Sequence, residues 1–313
     1  MTVADAAPAE VAKVYNDAGD DYAAYADGDL SRPFAFEGMH AYADRCVWAV
    51  LEKKLIDLRA SGAGSVRLLD AGCGPGTWLR RLVIRARSLG FSSITARGFD
   101  IADAQIQRAQ LAARNLSSLP GVNLTFEVGD LADRLSEPDA SVDLTLCLYS
   151  ALSHLPVTRL PETSNELARV TSGYFITTVR PIGSMPTAFV DSIEKVRRLN
   201  QDHARDRCEI DLSDGRHIAF PFHQFTAAEL RNYFASRFDI EDIRGLDLFH
   251  SRFMPDCRWN PVSPSDDSQL IDELERLEKA YATRTEFLDR ATHLLLVAGR
   301  GRTAAPARVA GSN

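Results

Sequence analysis

The fold of this 313-residue chain is decided by the stretch Leu68-Leu69-Asp70-Ala71-Gly72-Cys73-Gly74-Pro75-Gly76-Thr77. Its apolar first half is typical of a buried strand. The residues after it have the spacing of one face of an amphipathic helix: Leu79, Leu82, Val83 and Ala86. Glycines between a strand and a helix let the backbone turn sharply and approach a ligand closely. The stretch therefore predicts a strand, a ligand-binding turn and a helix.

The turn itself indicates which ligands suit it. A dinucleotide loop has a third glycine where this chain has Thr77, and a phosphate-binding P-loop has a lysine that is missing here. Pro75 also removes a backbone N–H where a pyrophosphate would need donors. The loop therefore favours a nucleoside without a phosphate chain, although a nicotinamide-dependent oxidoreductase stays open as an alternative.

Strand-like and helix-like segments alternate on both sides of this stretch. The apolar runs predict strands at 66–70, 94–99, 124–128, 142–148, 174–179, 238–243 and 291–298. Segments with helical spacing separate them, and such alternation predicts parallel strands with helices on both faces. We therefore expect a doubly wound, Rossmann-like α/β fold with a mostly parallel seven-stranded sheet whose last strand is antiparallel.

The remaining segments predict additions to this core. Residues 1–60 are expected to form N-terminal helices, and residues 182–224 an inserted lid with a charged helical stretch through Ile193, Val196 and Leu199. Thr226 and Glu229 predict a capping box. The chain is expected to divide into an N-terminal lid (1–60), a cofactor-binding core (61–181), the insertion (182–224), a C-terminal part of the core (225–300) and a disordered tail (301–313). Residues 1–10 are also expected to be frayed, and the C-terminal part is expected to contain a helix over 267–288.

Composition narrows the class of protein. Hydrophobic residues make up 45% and charged residues 25%, which is the balance of a globular protein. A net charge of −7 makes a nucleic-acid partner a poor candidate. The five cysteines have no metal-site spacing, and no apolar run is long enough for a membrane span. We expect a cytoplasmic protein without a bound metal, a membrane partner or a nucleic-acid partner.

Two carboxylates follow strands that neighbour the glycine turn. Asp100 ends the second strand, where a carboxylate accepts hydrogen bonds from a ribose diol, and Asp130 ends the third, where one can accept from an adenine amine. Open α/β sheets bind ligands at these carboxyl ends. Each aspartate alone fits an ordinary strand end, but both together with the turn favour an adenosine site.

These residues resemble the class I S-adenosylmethionine-dependent methyltransferases. The matching positions are the 70–76 turn, Asp100, Gly129-Asp130 and Asp143, and the 148–155 segment is similar to that of members that methylate small molecules. The resemblance implies methyl transfer from S-adenosylmethionine, with S-adenosylhomocysteine as product, to an N or O atom of a small metabolite or natural product. It implies a cofactor site that comprises Tyr15, Tyr22, Asp70, Gly72, Cys73, Gly74, Gly76, Asp100, Ile101, Gly129, Asp130, Leu131 and Leu148.

Candidate catalytic and acceptor residues lie beyond the fourth strand. His154 is the first choice for a general base, and Tyr149 is expected at the junction of cofactor and acceptor. Tyr25, His223 and Phe253 are candidates for acceptor binding. Each of these side chains also fits a purely structural role.

Other functions fit the same residues. A regulatory module could retain the nucleoside pocket without turnover, and a methyltransferase could act on protein or RNA instead of a small molecule. Acidic net charge disfavours RNA, and the large lid favours an enclosed small-molecule acceptor. A homodimer is possible.

Overall fold

The computed structural model describes residues 8–17, 32–36, 40–184, 196–250 and 268–300. Seven strands form one sheet: β1 (Ser65–Ala71), β2 (Ser93–Asp100), β3 (Val122–Val128), β4 (Val142–Cys147), β5 (Thr171–Val179), β9 (Asp239–Leu246) and β10 (His293–Gly299). Their order is β3-β2-β1-β4-β5-β10-β9. β10 pairs antiparallel with both neighbours, while the other pairs are parallel. The predicted fold and its antiparallel last strand are confirmed.

Helices cover both faces of the sheet, and two buried apolar clusters fill the space between the layers. The helices are α1 (8–17), α2 (Ala41–Ala60), α3 (Thr77–Ser88), α4 (Asp103–Ser117), α5 (Leu160–Val170), α6 (Ala227–Phe234), α7 (Ser268–Tyr281) and α8 (Thr285–Leu288). Two short 3-10 helices, Ala151–His154 and Val157–Arg159, follow β4. Parallel strands need such cover because both of their faces are apolar.

The insertion differs from the prediction. Val196–Asp202 is strand β6, not a helix, and it pairs antiparallel with β7 (Arg207–Leu212), which in turn pairs with β8 (His217–Pro221). Val196 and Leu199 have a spacing of three, which suggested a helix. Alternate residues of β7 are buried, and this period of two in the partner strand favours a sheet. Ile193 lies outside the described residues.

The bounds of other helices also differ from those predicted. Residues 8–10, expected in a frayed tail, belong to helix α1. The single helix expected over 267–288 is two helices, α7 and α8, separated by a turn. Residues 301–313 lie outside the described part of the chain.

The predicted capping box of α6 is confirmed. The Glu229 backbone N–H donates to Thr226 Oγ1 at 3.1 Å, and the Thr226 N–H donates to the Glu229 carboxylate at 3.4 Å. Phe225 and Leu230, which flank the cap as a hydrophobic staple, are both buried. Within the described residues, no helix combines the length and the apolar character that a membrane crossing requires.

Candidate functional site

The turn after β1 requires its glycines. Gly72, Gly74 and Gly76 have φ angles of 78°, 51° and 74°, in the left-handed region that side chains disfavour. A Cβ on Gly76 would lie 2.5 Å from the Phe126 ring, and one on Gly72 would lie 2.5 Å from Ala151 Cβ. The turn is therefore held close both to the β3 strand and to the segment that follows β4.

Asp100 joins the turn to the end of β2. One oxygen of its carboxylate accepts from the Gly74 N–H at 2.9 Å, and the other accepts from the Ala102 N–H at 2.9 Å. Burial raises the pKa of Asp100, and the backbone hydrogen bonds partly offset that rise. The carboxylate therefore lies directly against the glycine turn, as the sequence predicted.

Asp130 lies at the neighbouring strand end. Its carboxylate accepts from the Ala132 N–H at 2.8 Å, and the adjacent Gly129 N–H donates to the Asp100 carbonyl at 3.0 Å. The bond from Gly129 to Asp100 ties the ends of β2 and β3 together, and the bond from Ala132 holds the turn after β3. Leu131 beside them is buried, and Ile101 is half-buried. The structure thus brings both predicted aspartates to one edge of the sheet.

Asp70 is buried beneath the turn. Burial raises the pKa of its carboxyl to about 7, and the charge of the nearby Asp100 adds to the rise. No described Lys, Arg or His forms an ion pair with either carboxylate. A cationic ligand would supply the missing positive charge, so the carboxylates of Asp70 and Asp100 fit a sulfonium or ammonium group. Cys73 is buried too, and burial raises the pKa of its thiol well above the usual range, which argues against a nucleophilic thiolate.

The segment after β4 is strained. Tyr149 and Ser150 have φ angles of 51° and 72°, although neither is glycine. Their N–H groups donate to the hydroxyl and the carbonyl of Thr178 at 2.6 Å and 2.9 Å, which hold the turn. Such strain is concentrated at functional sites. Leu148, just before it, is buried.

Tyr149 contacts residues of α2 and α3. Its ring stacks on Trp78 at 5.8 Å, and its hydroxyl donates a hydrogen bond to Asp44 on α2. Burial raises the pKa of Asp44, while the bond from Tyr149 lowers it. The tyrosine therefore lies between the glycine turn and a second group of polar residues.

His154 is enclosed by its neighbours. Its Nδ1–H donates to the Pro221 carbonyl at 3.2 Å, and its Nε2 accepts from the Tyr15 hydroxyl at 2.8 Å. Burial lowers the pKa of His154 to about 4, so the ring is neutral near pH 7. These contacts join α1, the β4 turn and the inserted sheet. A role as general base stays a prediction.

His223 has two acidic neighbours. Its Nδ1 lies 2.8 Å from Asp206 and its Nε2 lies 3.0 Å from Glu229 of the capping box. The histidine therefore links the inserted sheet to α6. Tyr22, Tyr25 and Phe253, the other tyrosine and acceptor candidates, lie outside the described residues.

The sequence reasoning missed the polar residues that surround Tyr149, and together with Tyr149 they are called the edge cluster. It comprises His40, Asp44, Tyr149, Asp247 and His293, from α2 and its start and from the ends of β4, β9 and β10. His40 Nδ1 lies 3.5 Å from Asp247 Oδ2, and the Tyr149 and His293 rings are 5.4 Å apart. Asp247 follows a strand just as Asp100 and Asp130 do, so the same signal could have found it.

Among the described residues, no three or more His, Cys, Asp or Glu side chains are arranged to hold a metal ion. The two polar regions of the site are the glycine turn with its carboxylates and the edge cluster.

The strand order, the glycine turn and the strand-end carboxylates match the Rossmann-like fold of the class I S-adenosylmethionine-dependent methyltransferases. A family model described as a methyltransferase domain matches residues 68–173, which span β1 to the start of β5. The chain therefore carries a methyltransferase domain over these residues. No curated protein matches the chain in sequence.

Solved structures with the same fold share little sequence with this chain. Magnesium protoporphyrin IX methyltransferase from Synechocystis PCC 6803, with bound S-adenosylmethionine, is 17% identical, with a TM-score of 0.50 over 94% of this chain and 97% of that one. The [4+2]-cyclase SpnF is 16% identical, with a TM-score of 0.52 over 94% and 97%. A methyltransferase from Clostridium acetobutylicum ATCC 824 is 10% identical, with a TM-score of 0.50 over 94% and 98%. At these identities the likeness concerns the fold alone.

Proposed function

We propose that the protein transfers a methyl group from S-adenosylmethionine to an N or O atom of a small-molecule metabolite. The observation that carries this proposal is the enclosure of the β4 turn. The Tyr15 hydroxyl on α1 bonds His154 at 2.8 Å, and the His223 N–H of the inserted segment donates to the Ser153 carbonyl at 2.7 Å. A helix and an inserted sheet therefore cover the strand end beside the cofactor turn.

The cofactor would lie across the ends of β1, β2 and β3. Asp100 would accept from the ribose hydroxyls, and Asp130 from the adenine amine, while the Leu131 N–H donates to a ring nitrogen. Asp70 would face the cationic methionine end. Cofactor contacts by Tyr15, Ile101, Gly129 and Leu148 stay part of the proposal, as does contact by Cys73 through its backbone.

The bound cofactor supplies a methyl group activated on a sulfonium. The protein must then hold the acceptor atom opposite the sulfur, about 3 Å from the methyl, because positioning contributes several kcal/mol to such a displacement. Tyr149 supports this role because its ring stacks on Trp78, just after the glycine turn, and its hydroxyl donates to Asp44 of the edge cluster. The strained backbone of Tyr149 and Ser150 fixes the direction of that ring.

Enclosure favours a small acceptor over a macromolecule. In the edge cluster Asp247 and His293 are buried, so an acceptor that reaches them must enter a covered space. A protein segment or an RNA strand needs an open groove, and RNA also needs positive charge that a chain of net charge −7 does not favour. His223 would shape the acceptor entrance through the contact that it makes with α6.

Labelled methyl transfer tests the proposal. The purified protein is incubated with S-adenosylmethionine that carries a labelled methyl group and with a cell extract divided by ultrafiltration. We expect label in the filtrate, which holds small metabolites. Label confined to the retained proteins or RNA would contradict the small-molecule assignment, and S-adenosylhomocysteine binding measured in parallel by calorimetry would show that the protein was intact.

A further inference from the structure

His223 lies where three parts of the molecule meet. Its backbone N–H donates to the Ser153 carbonyl of the β4 turn at 2.7 Å. Its buried side chain contacts Asp206, in the turn between β6 and β7, at 2.8 Å, and Glu229, in the first turn of α6, at 3.0 Å. The histidine therefore joins the inserted sheet to the β4 turn and to α6.

The two carboxylates at this junction share one cationic partner. Among the described residues, no lysine or arginine forms an ion pair with Asp206 or Glu229, and each of them pairs with His223. The arginines on either side of Asp206, Arg205 and Arg207, pair with other acidic residues. The positive charge at this junction therefore depends on the protonation of the histidine.

The chemistry of imidazole decides which form of the ring fits both contacts. A neutral ring has one N–H donor and one nitrogen lone pair, whereas a protonated ring has two donors. If His223 were neutral, one of the two carboxylates would face the lone pair, and the two groups would repel each other. The imidazolium donates to Asp206 and to Glu229 together. The two contacts therefore indicate a protonated ring, and the three coupled groups titrate as one unit.

The other titratable groups around His223 are neutral while its ring titrates. Tyr233 of α6 lies near both carboxylates. Burial raises the pKa of Tyr233, and the charges of Glu229 and Asp206 add to the rise, so its phenol keeps its proton. His154, on the β4 turn, has a pKa of about 4 because it is buried. The charge of the junction therefore changes with His223, in the range from about pH 5 to 8 in which histidine titrates.

We propose that His223 is a positioning residue that, as an imidazolium, holds the inserted sheet against the core, and that this link weakens when the ring loses its proton. Asp206, His223 and Glu229 are called the histidine clamp. In acid both carboxylates are ionised and the ring donates to each. In alkali the neutral ring donates to one carboxylate while its lone pair repels the other. The stability that the clamp contributes is thus complete at about pH 5.5 and is lost as the pH rises to about 9.

Hydrogen exchange of the full-length protein measures the clamp without a ligand. The reporter is a peptide that covers residues 220–225, in which the Phe222 N–H donates to the Asp206 carbonyl at 2.7 Å. Mass spectrometry follows its exchange at about pH 5.5 and about pH 9, and each rate is divided by that of an unstructured peptide at the same pH. We expect protection to be about tenfold lower at the higher pH, the effect of one lost hydrogen bond to a charged group. Equal protection at both pH values would overturn the proposal, whether or not the protein transfers methyl groups.

Glu229→Gln distinguishes the clamp from a general effect of alkali. Glutamine keeps the capping box of α6, because either residue serves at that position. Its amide N–H can donate to the neutral ring of His223, which still donates to Asp206. We therefore expect the protection at high pH to rise to that at low pH. If the tenfold change persisted in Glu229→Gln, it would come from groups outside the clamp, and the proposal would be wrong.

His223→Gln removes the titrating ring itself. We expect protection at both pH values to be as low as that of the unmodified protein at high pH. His217→Gln is the matched control, because His217 lies on the same inserted sheet but is exposed and contacts one carboxylate, Asp211, at 2.7 Å. That variant should keep the full change with pH. Persistence of the change in His223→Gln, or its loss in His217→Gln, would contradict the assignment to the clamp.

Discussion

The two halves of the sheet edge are built differently. In the cofactor half, at the ends of β1, β2 and β3, carboxylates bond backbone N–H groups, as Asp100 bonds Gly74 and Ala102. In the acceptor half, around the edge cluster, Asp247 and His293 keep polar atoms without partners. The cofactor half is therefore a frame whose hydrogen bonds to the backbone are already made without a ligand. The acceptor half is a set of side chains whose hydrogen bonding a particular substrate would complete.

The largest expected effect concerns the rigidity of the cofactor half. Gly76→Ala places a Cβ at a φ of 74° and 2.5 Å from the Phe126 ring. Left-handed backbone and overpacking together should lower the free energy of unfolding by about 4 kcal/mol. Chemical denaturation measures this loss of unfolding free energy.

Gly62→Ala is the matched control for this substitution. Gly62 has a φ of 91° but nothing within 4 Å of the added Cβ, so it isolates the backbone cost of about 1–2 kcal/mol. Equal losses in both variants would mean that the Phe126 contact does not constrain the turn.

Asp100→Ala comes next in size. It removes two hydrogen bonds to a charged acceptor and the group expected to bind the ribose, a loss of about 3 kcal/mol. We expect S-adenosylhomocysteine to bind about 100-fold more weakly, as measured by calorimetry. Asp103→Ala, on the exposed first turn of α4, should bind normally. If Asp100→Ala kept its affinity, the cofactor half would not be where the adenosine lies.

A smaller effect should appear as a pH dependence of cofactor binding. Asp70 has a pKa of about 7 in the folded protein, above its ordinary 3.8, so it is largely protonated below pH 7. Its ionised form attracts a cation, so S-adenosylmethionine affinity should rise about tenfold as the pH increases through 7 and then level off.

Asp70→Asn should remove this dependence. In the unliganded protein, Asp70→Asn should also reduce the dependence of the unfolding free energy on pH. The raised pKa means that the stability contributed by Asp70 is complete below about pH 4 and is lost as the pH rises towards 7. A cofactor affinity that keeps its pH dependence in Asp70→Asn would assign the titration to another group.

The smallest effect is expected on the covering elements. Tyr15→Phe keeps the ring beside His154 but removes the hydroxyl that bonds Nε2 at 2.8 Å. The free energy of unfolding should fall by about 1 kcal/mol.

His154→Gln addresses the base hypothesis, because a base with a pKa of about 4 predicts a loss of turnover as the pH falls through 4. Persistence of that loss in His154→Gln would exclude His154 as its source.

The sequence predicted the cofactor half because its signals are local. The glycine turn, Asp100 and Asp130 each follow a short apolar strand, and neighbouring parallel strands bring their carboxyl ends together without further information. The capping box of α6 was predicted for the same reason, since Thr226 and Glu229 are three residues apart. The helical stretch expected through Ile193, Val196 and Leu199 was wrong at Val196 and Leu199, because pairing with β7 makes that segment a strand.

By itself, the sequence determined the class of fold, the antiparallel last strand and the presence of a methyltransferase domain, since strand and turn patterns extend over only a few residues. Only the tertiary structure assembled the edge cluster, in which His40 and Asp247 are separated by 207 positions along the chain. The physical reason is that the hydrogen bonding of a buried polar atom depends on which residues pack around it. No local pattern shows whether an aspartate after a strand has found its partners, as Asp100 has, or still lacks one, as Asp247 does.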